Sequence, residues 1–89
     1  MSRTRAYSQD TIDVMMRFFE AFDRCVELKL VKSISSFCVK NCIDKRHLYA
    51  QRKDMSKGLF HVGWLLPLIR DCNVSASWLM TGKGTMFVQ

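Results

Sequence analysis

The chain has 89 residues, which is enough for one domain with a modest hydrophobic core and too few for a separate catalytic domain beside it. Hydrophobic residues make up 48% of the chain, charged residues 25%, and there is one proline, so a disordered or low-complexity polymer is excluded. The formal net charge of +6 favours a polyanionic partner over a cationic one.

The apolar segments of the sequence are short. No segment approaches the roughly 20 consecutive apolar residues that a membrane-spanning helix needs. Residues 1–10 lack the apolar run of a signal peptide. We therefore expect a cytoplasmic protein that has no membrane partner.

The four cysteines lie within apolar helical patterns, which favours reduced, buried thiols over disulfides. They are Cys25, Cys38, Cys42 and Cys72. A zinc site of Cys38 and Cys42 with His47 or His61 is the alternative, but the sequence lacks the paired spacings C-x2-C and H-x3-5-H. We therefore predict no metal and no cofactor.

Charge is unevenly distributed along the chain. Residues 10–27 carry five acids against two arginines, a net −3. Residues 29–57 carry eight lysines and arginines against two aspartates, a net +6. A cluster of cations in one region is typical of a surface that binds a polyanion, although solvated basic faces are also common.

Residues 1–9 form a predicted flexible basic arm, and residues 10–87 form the predicted folded domain. Arg3 and Arg5 in the arm either follow a DNA minor groove or are simply disordered. The first predicted helix begins at Asp10, which caps it, and apolar residues recur at three- and four-residue steps on its core face. These core residues are Ile12, Met15, Met16, Phe19, Phe22 and Val26, with Phe18 beside them.

The next two predicted helices are short and are joined by a tight turn. Ser33 caps the first, which extends to Lys40, and Asp44 caps the second, which covers about residues 45–53. Asn41 and Cys42 form the turn between them. The predicted core anchors are Ile34, Phe37, Cys38, Ile43 and Leu48. This layout is typical of a helix that enters a DNA groove, and the alternative is a solvated amphipathic helix hairpin.

The second of these helices supplies the predicted DNA contacts. First-turn side chains of such a helix reach furthest into the major groove, where lysine and arginine bond guanine. The predicted base-contacting residues are Lys45, Arg46, Tyr49 and Ala50. The predicted contacts to the DNA backbone are Lys40, His47, Arg52 and Lys53.

After a polar link, an apolar stretch predicts a fourth helix over residues 59–69, with a kink or restart near Pro67. Ser75 caps a predicted fifth helix from Ala76 to Met80, which buries Trp78 and Leu79. Gly82 ends that helix in left-handed geometry. We therefore predict an all-α domain of five helices.

Residues 33–51, SISSFCVKNCIDKRHLYAQ, resemble the helix-turn-helix of lambda-repressor-like regulators. A Phe-Ala pair, a Gly-Ile pair and a leucine characterise that motif. The matching residues are Phe37, Cys38, Cys42, Ile43 and Leu48. The tail VSASWLMTGKGTMF, residues 74–87, resembles the end of the DNA-binding domain of phage-type repressors, so that the likeness covers about residues 11–87.

The sequence departs from this family pattern at three positions. Cys38 replaces an alanine, which is a tolerable exchange between small apolar residues. Gln51 replaces a usually apolar residue, which leaves the end of the recognition helix exposed or differently packed. Cys42 replaces the turn glycine, so it needs a positive φ if the turn keeps the family's shape. Otherwise the turn shifts by one residue onto Asn41.

The resemblance implies a sequence-specific double-stranded DNA-binding regulator of prokaryotic or phage type. Members of that family commonly bind two half-sites as dimers. Because a lone module of this size would contact few bases, we expect a homodimer paired through the fourth or fifth helix or through Met86, Phe87 and Val88. The longer repressors of the family carry a self-cleaving peptidase domain after this part, and we expect no such switch in this chain.

Two other classes of function remain open. A protein-interaction module would bind DNA only as a non-specific polyanion. An enzyme would need a nucleophile beside a base, a carboxylate pair in an apolar setting or a cofactor loop, and the sequence offers none of these. We expect no catalytic residue and no small-molecule substrate.

Overall fold

The computed structural model describes residues 7–88. Arg3 and Arg5 of the predicted arm lie outside these residues. The helices are α1 (Gln9–Glu27), α2 (Ile34–Lys40), α3 (Lys45–Lys53), α4 (Leu65–Cys72) and α5 (Ala76–Thr81), with a 3₁₀ turn, Val62–Trp64, before α4. Extended pairing within residues 7–88 is limited to one antiparallel bridge between Val74 and Phe87. The prediction of an all-α domain with five helices is confirmed for this part of the chain.

The N-cap of helix α1 lies two residues before the predicted cap. Ser8 is the N-cap and its hydroxyl accepts a hydrogen bond from the Thr11 amide at 3.2 Å, so the prediction of Asp10 as the cap was wrong. Asp10 lies instead in the first turn, where its negative charge interacts favourably with the helix dipole. The predicted helix itself is confirmed.

The core face of α1 is rotated relative to the prediction. Its buried residues are Met15, Phe18, Phe19, Ala21, Phe22 and Cys25. Met16 was predicted to be buried but is 55% exposed, whereas Phe18 is fully buried. The reason is aromatic packing, because the Phe18 ring lies 5.8 Å from Phe60 and 6.0 Å from Trp64.

Both ends of α2 are fixed by local hydrogen bonds. Ser33 and Ser36 form a capping box, in which the Ser33 hydroxyl accepts from the Ser36 amide at 3.1 Å and the Ser36 hydroxyl accepts from the Ser33 amide at 3.2 Å. At the other end, the Asn41 side chain donates to the Phe37 carbonyl at 2.9 Å. The predicted cap and the predicted bounds of this helix are confirmed.

The predicted helix over residues 59–69 was wrong at its start. Residues 54–61 form no helix, and α4 begins only at Leu65 after the 3₁₀ turn. Pro67 therefore lies in the first turn of α4, where no intrahelical partner is needed for a backbone N–H. Of the two predicted alternatives, a kink or a restart near Pro67, the start of α4 two residues before Pro67 matches the restart, and the proline is buried there.

The C-terminal segment folds back onto the helices. Ser75 caps α5, and Gly82 ends it at a φ of 76°, both as predicted. Arg17 of α1 donates to the carbonyls of Leu79 and Met80 at 2.8 and 3.1 Å, which satisfies the end of α5. Leu79 is fully buried and Trp78 half-buried.

The bridge to Phe87 places the tail against the domain's own core. The Ser75 amide donates to the Met86 carbonyl at 2.7 Å, and the Val88 amide donates to the Asn73 carbonyl at 2.9 Å. Met86 and Phe87 pack against the core, and Val88 is 52% exposed. Of the three tail residues predicted as a dimer contact, two are therefore already engaged within the domain.

None of the helices that the structure describes has both the length and the apolar character needed to cross a membrane.

Candidate nucleic-acid interface

The inner faces of α2 and α3 pack against the hydrophobic core. Phe37 and Cys38 of α2 and Leu48 of α3 are each at most 5% exposed. The Phe37 ring makes an edge-to-face contact with Phe22 of α1, with ring centroids 4.8 Å apart. The opposite faces of the two short helices are consequently left to solvent.

The turn between α2 and α3 keeps its left-handed residue at Cys42. Cys42 has a φ of 57°, whereas Asn41 has a φ of −109°. The Ile43 amide donates to the Cys38 carbonyl at 2.9 Å, which closes the turn and returns Ile43 to the edge of the core. The alternative in which the turn shifts onto Asn41 is therefore wrong.

The cysteines differ in environment. Cys25, Cys38 and Cys72 are buried as predicted, but Cys42, at the turn between α2 and α3, is exposed. Burial, together with the neighbouring Cys72, raises the pKa of Cys25 to about 12. Burial likewise raises the pKa of Cys38. These thiols are held in the neutral form and act as small apolar residues.

Cys42→Gly is expected to raise the free energy of unfolding by about 1 kcal/mol, because glycine adopts a positive φ without the steric cost of a Cβ. Urea unfolding under reducing conditions would measure the change. Cys42→Ala is the control, because it removes the thiol but keeps the Cβ, and it should lie within about 0.5 kcal/mol of the wild type. If Cys42→Gly is less stable than Cys42→Ala, the positive φ of Cys42 does not strain the turn.

Asp44 caps α3 as predicted. Its carboxylate accepts a hydrogen bond from the Arg46 amide at 2.9 Å. The Arg46 guanidinium also folds back onto it, with Nη2 3.2 Å from Oδ2, and His47 Nε2 lies 3.8 Å from the same oxygen. Hydrogen bonds from the side chain and the amide of Arg46 hold the pKa of Asp44 below its usual range. The cap is therefore ionised at neutral pH, and its charge is directed at Arg46 and the helix.

Helix α3 presents a polar outer face. Lys45, Tyr49 and Lys53 follow one another at four-residue steps, and Arg46 and Ala50 form the adjacent row. The three residues of the first row are exposed, as is Arg46, whereas Ala50 is half-buried. The structure therefore brings all four predicted base-contacting residues onto one face, together with Lys53.

A hydrogen bond across the two helices orients Lys45. Its ammonium group donates to the hydroxyl of Ser35, in the first turn of α2, at 3.1 Å. Lys40 is exposed at the C-terminal end of α2. No ion pair within residues 7–88 involves Lys40, Lys45 or Lys53.

Arg52 is directed differently from the other cations of α3. Its guanidinium pairs with Asp23 of α1, and its Cζ lies 5.1 Å from the centroid of the Phe19 ring. The side chain is 37% exposed. In this position Arg52 joins α3 to α1. The predicted contact of Arg52 with the DNA backbone would have to use the guanidinium N–H groups that remain exposed.

Gln51 is fully buried. Of the two predicted alternatives for the end of α3, exposure was wrong and different packing is confirmed. Its amide nitrogen donates to the Met55 carbonyl at 2.9 Å and contacts the Met15 sulfur at 3.2 Å. Its oxygen accepts from the Leu59 amide at 3.0 Å. Gln51 is therefore a polar core residue that ties the segment after α3 to the domain.

Three residues at this surface were not singled out in the sequence. Ser35 holds Lys45, Asp23 holds Arg52, and Val39 of α2 is 81% exposed. The N-cap at Ser33 already places Ser35 in the first turn of α2, but nothing local indicates its pairing with a lysine ten residues later. Within residues 7–88, no group of three or more histidine, cysteine or acidic side chains is arranged to hold a metal ion.

Comparison with known proteins yields no matching family model, no matching curated protein and no matching solved structure.

Proposed function

We propose that this chain is a non-enzymatic, sequence-specific double-stranded DNA-binding regulator that inserts α3 into the major groove. The observation that carries the proposal is the division of α3 into two faces. One face is buried through Leu48 and Gln51, and the other presents Lys45, Arg46, Tyr49 and Lys53 to solvent. The major groove is wide enough to admit an α-helix, and the exposed face of the nine-residue helix α3 would then meet the bases.

Charge pairing on the protein supports separate roles for these side chains. Lys45 and Lys53 have no acidic partner among the described residues, so they retain their full attraction for phosphate or for guanine. Arg46 is paired with Asp44, but its side chain is 89% exposed, and exposed pairs of this kind contribute little. Arg46 can therefore exchange the carboxylate for a base edge.

The proposed base-contacting set is Lys45, Arg46, Tyr49 and Ala50, as the sequence suggested. Tyr49 is 48% exposed and offers a hydroxyl and a ring to the groove, and Ala50 allows close approach. Lys40, His47 and Lys53 flank this set and are proposed to contact phosphates. Arg52 is the weakest member of the phosphate-contacting set, because its guanidinium is already paired with the Asp23 carboxylate.

The short helix, left-handed turn and capped second helix also support the lambda-repressor-like helix-turn-helix that the sequence resembles. The turn residue of that motif is usually glycine, and Cys42 takes the conformation that glycine favours.

The proposed form on DNA is a homodimer, because one module of this size contacts few base pairs. Exposed apolar side chains suited to pairing lie around α4 and α5. Val62 is 74% exposed, Leu66 52% and Met80 54%. Val62 lies in the 3₁₀ turn and Leu66 in the first turn of α4, so both exposed side chains stand near the start of that helix.

Selection of bound duplexes from a random library, at roughly physiological salt, tests the proposal. We expect enrichment of a palindromic motif, whose two half-sites would also establish pairing of the protein. Retention without enrichment, lost steeply as salt rises, would overturn sequence-specific binding. That result would favour a protein-interaction module with a general polyanion surface.

A further inference from the structure

A cavity of about 300 Å³ lies between α2, α4 and the loop that joins α1 to α2. Its apolar lining includes Val31, Phe37 and Cys72, each at most 7% exposed, and the buried Pro67. These buried residues come from three separate segments and form the floor of the cavity, and the residues that line its mouth are exposed to solvent. It lies apart from the outer face of α3.

Two lysines stand at the polar edge of the cavity. Lys32 lies before the N-terminus of α2 and Lys40 at its end, and neither takes part in an ion pair within residues 7–88. Asp71 also lines the cavity, but its carboxylate accepts a hydrogen bond from Arg70 Nε at 3.3 Å. The balance of charge at the edge is therefore positive.

Other polar groups of the lining are already satisfied. The Ser36 hydroxyl belongs to the capping box of α2, and the Asn41 amide donates to the Phe37 carbonyl at 2.9 Å. The charges of both Asp71 and Lys40 act on Cys72 within the cavity. Burial raises the pKa of that thiol, as does the Asp71 carboxylate, whereas a hydrogen bond with Cys25 and the Lys40 ammonium lower it. The ammonium groups of Lys32 and Lys40 have no acidic partner within residues 7–88, so a ligand would meet them, and Lys40 is shared between this cavity and the proposed phosphate contacts.

We propose that this cavity binds a small monocarboxylate with an apolar body, whose carboxylate lies between Lys32 and Lys40 and whose apolar part lies on Phe37 and Pro67. A volume of about 300 Å³ is at the lower end of small-molecule sites and suits a ligand of roughly a dozen non-hydrogen atoms. A cationic ligand would be repelled by both lysines, and a neutral apolar ligand would leave their charges unused.

Amide chemical-shift titration of the ¹⁵N-labelled protein tests the proposal, with octanoate and naphthalene-2-carboxylate as the probes. We expect saturable one-to-one shifts that are largest at lining residues such as Val31, Ser36 and Asp71. The neutral naphthalene-2-methanol should bind at least fivefold more weakly than the matching carboxylate. Whichever carboxylate binds more tightly assigns the apolar part as a chain or a ring.

Charge-reversal variants provide the matched control. Lys32→Glu should weaken carboxylate binding at least fivefold, whereas Lys83→Glu, an equal change of charge at an exposed residue outside the cavity, should leave it within twofold. Both positions are exposed, so both variants should fold, which circular dichroism would verify. Scattered or non-saturating shifts, equal affinity for the alcohol, or equal losses in both variants would overturn the proposal.

Discussion

Phe22→Ala is expected to lower the free energy of unfolding by about 3–5 kcal/mol, because truncating a fully buried phenylalanine removes its burial and leaves a cavity. Phe22 is 0% exposed, and its ring contacts Phe37 at 4.8 Å and Phe18 at 6.0 Å between centroids. A domain of this length has a total stability of roughly 5–13 kcal/mol. The substitution therefore removes a large share of it.

Equilibrium unfolding in guanidinium chloride would measure this loss. Met16→Ala is the control on the same helix, because Met16 is 55% exposed, and we expect its effect to stay within about 0.5 kcal/mol. A cost below about 1 kcal/mol for Phe22→Ala would show that the site has collapsed around the smaller residue, or that Phe22 is not central to the core.

The contrast between Phe18 and Met16 shows what periodicity could and could not predict in α1. A repeat of three and four residues locates an apolar face, but residues at the edge of that face differ by only about one step of rotation. Phe18 is taken into the core by Phe60 and Trp64, more than 40 residues later in the chain. No local pattern contains that contact.

The start of α4 was missed for a related reason. The caps of α2, α3 and α5 are Ser33, Asp44 and Ser75, which are residue types that signal a helix start, and the sequence identified all three. Trp64 precedes α4 and makes no side-chain capping bond, so the sequence carries no such signal there. The apolar run alone then suggested a start six residues too early.

In the candidate interface, too, local features were predictable from the sequence and contacts between distant segments were not. Local chemistry predicted the bounds of α3 and the shared face of Lys45, Arg46, Tyr49 and Ala50, because helical spacing alone determines that face. The engagement of Arg52 with Asp23, and of Gln51 with Leu59, depends on how separate segments meet. The sequence thus identified Arg52 as a cation at the end of α3, but it could not show that pairing with Asp23 limits the availability of Arg52 to DNA.

The double variant Lys45→Ala and Arg46→Ala should reduce affinity for a selected operator by about 30-fold to 10⁴-fold, since each paired contact to a base is worth about 1–3 kcal/mol, which is a factor of about 5 to 150. Asp44 still caps α3 in the variant, and alanine favours the helix, so the fold should persist. Fluorescence anisotropy with operator and scrambled duplexes, over a range of salt, would measure the change.

The comparison between duplexes separates base contacts from phosphate contacts. Loss of Lys45 and Arg46 should collapse the preference for operator over scrambled DNA, whereas Lys53→Ala should weaken both duplexes alike and reduce the salt slope by about 1. Arg24→Ala with Lys83→Ala makes the same change of charge away from α3 and should keep the preference. If this control loses the preference as fully as the α3 variant, net charge governs binding and α3 does not read the bases.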